Sequence, residues 1–274
     1  MVLFRSALKR RCLAQRRSVR FSTTKPPPLR TPTLDLTAAL RRLDTTVICD
    51  ADRRLRAMED GKYRGINPLH DLPMIPTKRT TTMAGVVRTV KLNECNDFLG
   101  VIQGILQANA GEVLVIDALH SYLAIAGELL AGEAELKKLE GLVILDGYMR
   151  DTAGLAELTQ LTCFASGVTP YAGTCMFPGE MQCDLTHSDD NIEIRPGDIM
   201  VGDQDGVVVG SVDTMERLLP VAQEIFSTES VVRSRQKDGE SLVSLCNIEE
   251  HLEKRLAGEE SQFSFKKWWS RKDL

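Results

Sequence analysis

Two apolar runs separated by a helix-forming stretch constrain this chain more than any other feature. EVLVID at 112–117 and residues 141–146, which open on the apolar GLVI at 141–144, read as buried strands, and AGELLAGEAELKKL at 126–139 between them has the composition of a helix. A strand–helix–strand unit over 112–146 argues for an α/β layer. Gly111 supplies the turn before the first strand, and Asp146-Gly147 reads as a turn after the second. Arg150 and Asp151 then stand side by side on the loop leaving that strand. A cation beside a carboxylate there can bind an anionic substrate and hold a metal ion. Most Arg-Asp dipeptides, however, are surface ion pairs.

The flanks extend this unit. Leu36 to Leu43 reads as a short helix, Thr46 to Cys49 as a strand and Ala51 to Met58 as a second helix. Gly85 to Val90 is β-like and Asp97 to Gln107 helical. A short helix at 152–158 leads to a strand at 161–165, and 167–191 is loop-like. Short strands at 192–194, 199–201 and 207–209 are punctuated by Pro196-Gly197-Asp198 and Asp205-Gly206, which predicts an antiparallel or barrel-like second layer. A long helix covers 214–237. The chain divides into a leader and proline-rich linker at 1–33, a catalytic body at 34–245 and a helical tail at 246–274 that carries Trp268 and Trp269.

Charge narrows the partners. The net charge is −4, yet the first 34 residues hold nine Lys/Arg and no acid, leaving 25 basic against 38 acidic residues. An acidic body does not favour nucleic acid. No apolar stretch reaches the roughly 18 residues needed to span a membrane. The basic, Ser- and Leu-containing leader has the pattern of an organelle transit peptide, with a processing signal at Arg20-Phe21-Ser22. Import into the mitochondrial matrix is the expectation; a chloroplast address, or a basic binding arm on a cytoplasmic protein, is the alternative. Seven cysteines without a C-x-x-C pair argue against a disulfide framework or zinc site and read as small core residues.

Several segments together resemble the RraA-like family: ICDA at 48–51, MAGVVRTV at 83–90, GEVLVIDA at 111–118, GELLAGEAE at 127–135, GLVILDGYMRD at 141–151, FASGVTP at 164–170 and IRPGDIMVGDQDGVVV at 194–209. The resemblance covers about residues 45–245. It implies an α/β/β sandwich with a swivelling-domain-like core and a long C-terminal helix. It also implies a homotrimer, or a hexamer of trimers, with the active site between subunits. The family includes class II 4-hydroxy-4-methyl-2-oxoglutarate aldolases, which also decarboxylate oxaloacetate. Its name-giving bacterial member binds and inhibits a ribonuclease, and lacks the Asp after the Arg. Asp151 is present here, which favours the enzymatic branch; a non-catalytic regulator of a ribonuclease or another protein is the alternative. GLVILDG is one residue longer than the usual form, which predicts a bulge or shifted register.

The resemblance further implies a divalent cation, Mg²⁺ or Mn²⁺, anchored by Asp151. Arg150 would hold the carboxylate of a small 2-oxo acid and stabilise developing charge. Gly127, Glu128, Leu129 and Leu130 open a helix whose free N–H groups would bind the pyruvyl carboxylate, while its leucines can equally fill the core. A base for the 4-hydroxyl is expected from the C-terminal helix of a neighbouring subunit. Glu229, with Glu224 behind it, is the candidate, although a solvated helix charge explains either residue equally well. Asp117 could support the site from behind. Two other groupings are discounted. His187 with Asp184, Asp189 and Asp190 lacks a regular element to fix ligands, and DQDG at 203–206 fails the calcium-loop pattern. His70, His120 and His251 are isolated, and no P-loop, dinucleotide fingerprint or S-adenosylmethionine glycine loop occurs.

Overall fold

Strand β4 (Glu112–Asp117) is buried along its whole length, and its side chains alternate between two cores. Leu114 and Ile116 face one apolar cluster, Val113 and Val115 another. A strand covered on both faces needs an unbroken apolar run, which Val113 to Ile116 supply, while the buried carboxylates at its ends, Glu112 and Asp117, pair with Arg88 and Lys91. The computed structural model describes residues 34–59, 63–187 and 192–265. β4 lies parallel between β3 (Met83–Lys91) and β6 (Gly141–Met149), and β6 is parallel to β7 (Thr162–Val168). On the other side of β3 the sheet turns antiparallel through β11 (Ile199–Asp203), β12 (Gly206–Gly210) and β1 (Asn67–Leu69). β2 (Met74–Ile75) closes the opposite edge against β7. β5 (Ala124–Ala126) pairs with the outer half of β6, and β8 (Glu180–Met181) with the end of β3. β9 (Leu185–His187) and β10 (Ile192–Ile194) form a separate hairpin.

The curled sheet carries helices on two patches of its outer surface. α3 (Leu99–Gln107) and α4 (Glu128–Leu136) cover the parallel strands. α1 (Leu34–Leu40), α2 (Thr45–Glu59) and α6 (Val212–Lys237) share a second cluster over β3, β11 and β12. The inner face encloses Met83, Val87, Phe164, Met200 and Val209. The short α5 (Thr152–Leu155) follows β6, and α7 (Leu242–Leu245) and α8 (Ile248–Leu256) follow α6. This is the predicted α/β arrangement with a half-barrel sheet and a long C-terminal helix.

Four local expectations are corrected. Residues 46–49 are not a strand but the first turn of α2, continuous with the helix expected at 51–58. Val47, Ile48, Ala51 and Leu55 are buried along one helical face, and Asp203 accepts from the Thr45 N–H at 2.7 Å and its hydroxyl at 2.6 Å. A carboxylate supplied from 158 residues away thus caps a β-branched helix start that local propensity reads as strand. Asp146-Gly147 does not end β6 either. Pairing with β7 runs Ile144↔Ala165, then resumes at Tyr148↔Gly167, and Asp146 takes a left-handed φ of 52°. The pair forms a bulge inside the strand, at the place where the extra residue predicts one. The stretch 167–191 is not wholly loop, since it holds the end of β7 and strands β8 and β9. Finally, not every cysteine is a core residue: Cys163 and Cys246 are buried, but Cys49 and Cys175 are exposed.

Candidate active site

The bulge decides where the end of β6 points. Beyond it, β5 replaces β4 as the neighbour, and the Arg150 N–H donates to the Ala126 carbonyl at 3.1 Å. The residues just before α4 are thereby laid beside Arg150 and Asp151. Asp151 is left-handed, φ 60° and ψ 44°, a conformation that costs a non-glycine residue about 1–2 kcal/mol. Its carbonyl accepts from the Gly154 and Leu155 N–H groups at 3.0 Å, starting α5. Its side chain does not cap that helix. Instead its Oδ2 lies 3.2 Å from Arg150 Nε, with both side chains about 40% exposed (40% and 41%).

Gly127 shows how tightly the two segments meet. A Cβ built there would lie 2.5 Å from Asp151 Oδ2 and 3.0 Å from Arg150 Cγ. The backbone of Gly127 is extended, so its glycine serves close approach, not unusual torsion. The first intrahelical bond of α4 runs from the Ala131 N–H to the Gly127 carbonyl at 3.0 Å. The N–H groups of Glu128, Leu129 and Leu130 precede that bond and face out of the helix end, where they suit an anion. The Glu128 carboxylate packs against Gly154, at the start of α5. One exposed niche therefore holds a guanidinium, two carboxylates and a helix N-terminus. Leu130 packs on the core, whereas Leu129 is 82% exposed.

Two residues that sequence reading passed over hold the segment leading into β5 and the loop after β7. Asn96 Oδ1 accepts from Ser121 Oγ and from the Tyr122 and Leu123 N–H groups, each at 3.0 Å. Asp97 is buried and accepts from Thr174 Oγ1 at 2.6 Å and from the N–H groups of Met176, Phe177 and Leu99. Burial pushes its pKa up, but those four bonds outweigh burial and hold it below the ordinary value. The Ala124 N–H in turn donates to Tyr171 at 2.8 Å, and Thr169 to Met149 at 2.9 Å, so the loop after β7 is tied to β5 and β6. Tyr122, Val168, Tyr171, Met176 and Phe177 are exposed on these segments. Apart from the Leu99 N–H, two residues on, the bonds named here run to partners 25 to 80 residues away, which leaves little distinguishing signal in the sequence.

The other predicted residues lie elsewhere in this chain. Glu229 and Glu224 are on α6, in the second helical cluster, paired with Arg233 at 3.1 Å and Arg54 at 3.4 Å. Asp117 ends β4 opposite Leu145, before the bulge, and is held by Lys91 Nζ at 3.5 Å and the Leu119 N–H at 3.0 Å. His187 is buried in the β9–β10 hairpin and Asp184 is exposed; Asp189 and Asp190 fall outside the described residues. Asp203 caps α2 within a two-residue hairpin turn formed by Gln204 and Asp205, one residue earlier than predicted. Among the described residues, no three His, Cys, Asp or Glu side chains converge as a complete metal site within one chain.

Comparison with known proteins bears on the family and the fold. The family model described as RraA-like, Aldolase/RraA, matches residues 45–209. A protein of Halalkalibacterium halodurans named "Putative 4-hydroxy-4-methyl-2-oxoglutarate aldolase" is 31% identical over 192 residues, covering 70% of this chain and 83% of its own. A Bacillus cereus protein of the same name is 30% identical over 46% of this chain and 76% of its own. Among solved structures, an uncharacterized protein from Pseudomonas syringae aligns with a TM-score of 0.63 at 22% identity, covering 78% of this chain and 98% of the other. Streptomyces coelicolor RraAS2, titled an unusual member of the RNase ES inhibitor RraA protein family, aligns at 0.60 and 22%, covering 74% and 99%. With a model matched over most of its body and a relative matched over most of that relative's length, the chain belongs to the RraA-like family.

Proposed function

We propose that this chain is a divalent-cation-dependent carbon–carbon lyase. Its substrates would be 2-oxo diacids of the 4-hydroxy-4-methyl-2-oxoglutarate type, cleaved to pyruvate, and it would also decarboxylate oxaloacetate. The observation that carries this reading is the apposition of Asp151, Arg150 and the N-terminus of α4 at Gly127. Breaking a bond beta to a keto group leaves charge on the enolate of pyruvate. The N–H groups of Glu128, Leu129 and Leu130 would hold one substrate carboxylate. Arg150, anchored through its backbone to Ala126, would orient the 2-oxo acid and stabilise the developing oxyanion.

Asp151 and Glu128 are suited to hold a hard cation such as Mg²⁺ or Mn²⁺, which needs only one or two protein carboxylates and otherwise keeps water. The cradle fits: the glycine at 127 leaves Asp151 Oδ2 the room that a Cβ would take. When bound, the cation supplies Lewis-acid polarisation of the substrate oxygens. The aldol reaction also needs a base at the 4-hydroxyl, whereas decarboxylation does not. Glu229 from another copy of the chain would serve. A homotrimer, or a hexamer of trimers, would bring it there, and the exposed Leu129, Tyr122, Tyr171, Met176 and Phe177 are the apolar surface such an assembly would cover. The basic, acid-free leader supports placement in the mitochondrial matrix.

The test is pyruvate release from both compounds, with Mg²⁺ or with excess chelator, beside Asp151→Ala. Expected is cation-dependent release that falls by about 10²-fold or more in the variant. Release no faster than with Mg²⁺ alone, on both compounds, would overturn the lyase reading and leave a regulator that binds a ribonuclease or another protein.

A further inference from the structure

The far end of the half-barrel, where β3 and β7 begin and β11 ends, lies a strand length from Arg150 and Asp151. A cleft of ≈ 200 Å³ opens there between Met74, Arg79, Thr162 and the hairpin turn that follows Asp203. Thr162 is its most unusual member. Side chains alternate along β7, so Thr162 shares the inner face with Phe164, while Cys163 faces the outer cluster. Thr162 is 2% exposed, and among the described residues its Oγ1 has no hydrogen-bond partner. A buried hydroxyl in that condition costs stability and calls for an explanation. Valine has nearly the same shape and suits a strand as well, so β7 itself does not require the hydroxyl. A polar ligand in the cleft would supply the missing partner.

The charges in the lining select the ligand. Arg79 has no donor left for an anion: its Nε bonds to Thr81, its Nη1 to the Glu140 and Gln160 carbonyls, and its Nη2 to the Thr82 carbonyl and the Glu140 carboxylate. Asp203 is fixed by Thr45 and by the Asp205 N–H. Asp44 and Asp205 are exposed where the cleft opens, and among the described residues neither carboxylate has a partner. Three carboxylates thus stand against one guanidinium, which already pairs with the Glu140 it shares with Arg41. That balance favours a cation. A primary ammonium offers three donors to such carboxylates. Met74 gives a short aliphatic chain an apolar wall, and the Thr162 hydroxyl can donate to or accept from a second polar end. The volume equals the liquid share of about six or seven waters at roughly 30 Å³ each, which suits a ligand of about six heavy atoms.

We propose that this cleft binds a short aliphatic amine with a second polar end, a diamine or an amino alcohol. Its ammonium sits between Asp44 and Asp205, and its far end meets Thr162 Oγ1. Titration calorimetry of the full-length protein with putrescine, ethanolamine and the single-ended butylamine tests this. Expected is saturable one-to-one binding of putrescine or ethanolamine, with butylamine weaker by about tenfold or more. Thr162→Val should weaken the favoured amine by a similar factor while thermal stability stays equal or rises, because the hydroxyl it removes has no partner in the fold. Asp205→Asn, on the exposed turn, should weaken binding likewise and serves if Thr162→Val does not fold. Asp151→Ala should bind the amine as the wild type does, whatever its effect on pyruvate release. Absence of saturable binding at tens of millimolar overturns the proposal. So does binding that neither cleft variant weakens, binding lost in Asp151→Ala, or a Thr162→Val protein that melts lower. Displacement of the amine by K⁺ or Mg²⁺ at constant ionic strength also overturns it, in favour of an inorganic cation.

Discussion

Gly127 makes the sharpest prediction at the scale of single residues. Its torsions are open to alanine, so Gly127→Ala should fold normally, but the new methyl would come within 2.5 Å of Asp151 Oδ2. Displacing that carboxylate by about 1 Å is expected to cost roughly 10²-fold in kcat with little change in melting temperature. An active Gly127→Ala variant would dissociate Asp151 from catalysis. Asp97 is the opposite case, a residue whose worth is stability. Its pKa is lowered in the folded state, so its contribution is complete above the ordinary aspartate value and is lost as pH falls through the lowered one. Asp97→Asn should therefore lower stability by about 1–3 kcal/mol at neutral pH, and less in acid, as followed by urea unfolding at pH 7 and below pH ~4.

Among the elements, α2 and β6 are each completed by something non-local. The first turn of α2 is held by Asp203, which accepts from Thr45 N–H and Oγ1 and from the Asp205 N–H at 2.9 Å. Asp203→Ala should lower the urea midpoint by an amount worth about 1–3 kcal/mol, with an unchanged denaturant slope. A much smaller loss would mean that water replaces the carboxylate. β6 is one strand with two partners on one side, β4 before the bulge at 145–147 and β5 after it. That exchange brings Ala126 and Gly127 to the end of the strand, so the bulge is the device that assembles the site.

For the whole molecule, the proposed site is incomplete in one chain. Arg150 and Asp151 border the core under α4, whereas Glu229 lies in the cluster of α1, α2 and α6. If Glu229 acts from another copy, Asp151→Ala and Glu229→Gln should each be impaired as aldolases. Mixing them under conditions of subunit exchange should recover a fraction of wild-type activity, since some sites then combine two intact residues. Failure to recover activity, with exchange shown by mass spectrometry, would exclude Glu229 as a residue acting across subunits. Glu229→Gln should meanwhile spare oxaloacetate decarboxylation, which needs no base at a 4-hydroxyl.

Much of this architecture was legible in the chain. The runs at 113–116 and 141–145 are buried on both faces, and that demand shows directly as unbroken apolar sequence. Arg150, Asp151 and Gly127 were singled out by the family resemblance of GELLAGEAE and GLVILDGYMRD, at a strand end and a helix start that leave local marks. Residues 46–49 were misread because their helix start is capped by a carboxylate brought in by the fold. The end of β6 was misread because Asp146-Gly147 suits a turn and a bulge equally, and only the partners β4, β5 and β7 choose between them. Asn96 and Asp97 carried little signal, since apart from the Leu99 N–H their partners lie in distant segments. By itself the sequence determined the layers, through apolar pattern, and the identity of the charged pair. Only the tertiary structure decided where β6 bulges, what caps α2 and which backbone lies against Asp151, because each depends on groups far apart in the chain meeting at hydrogen-bonding distance.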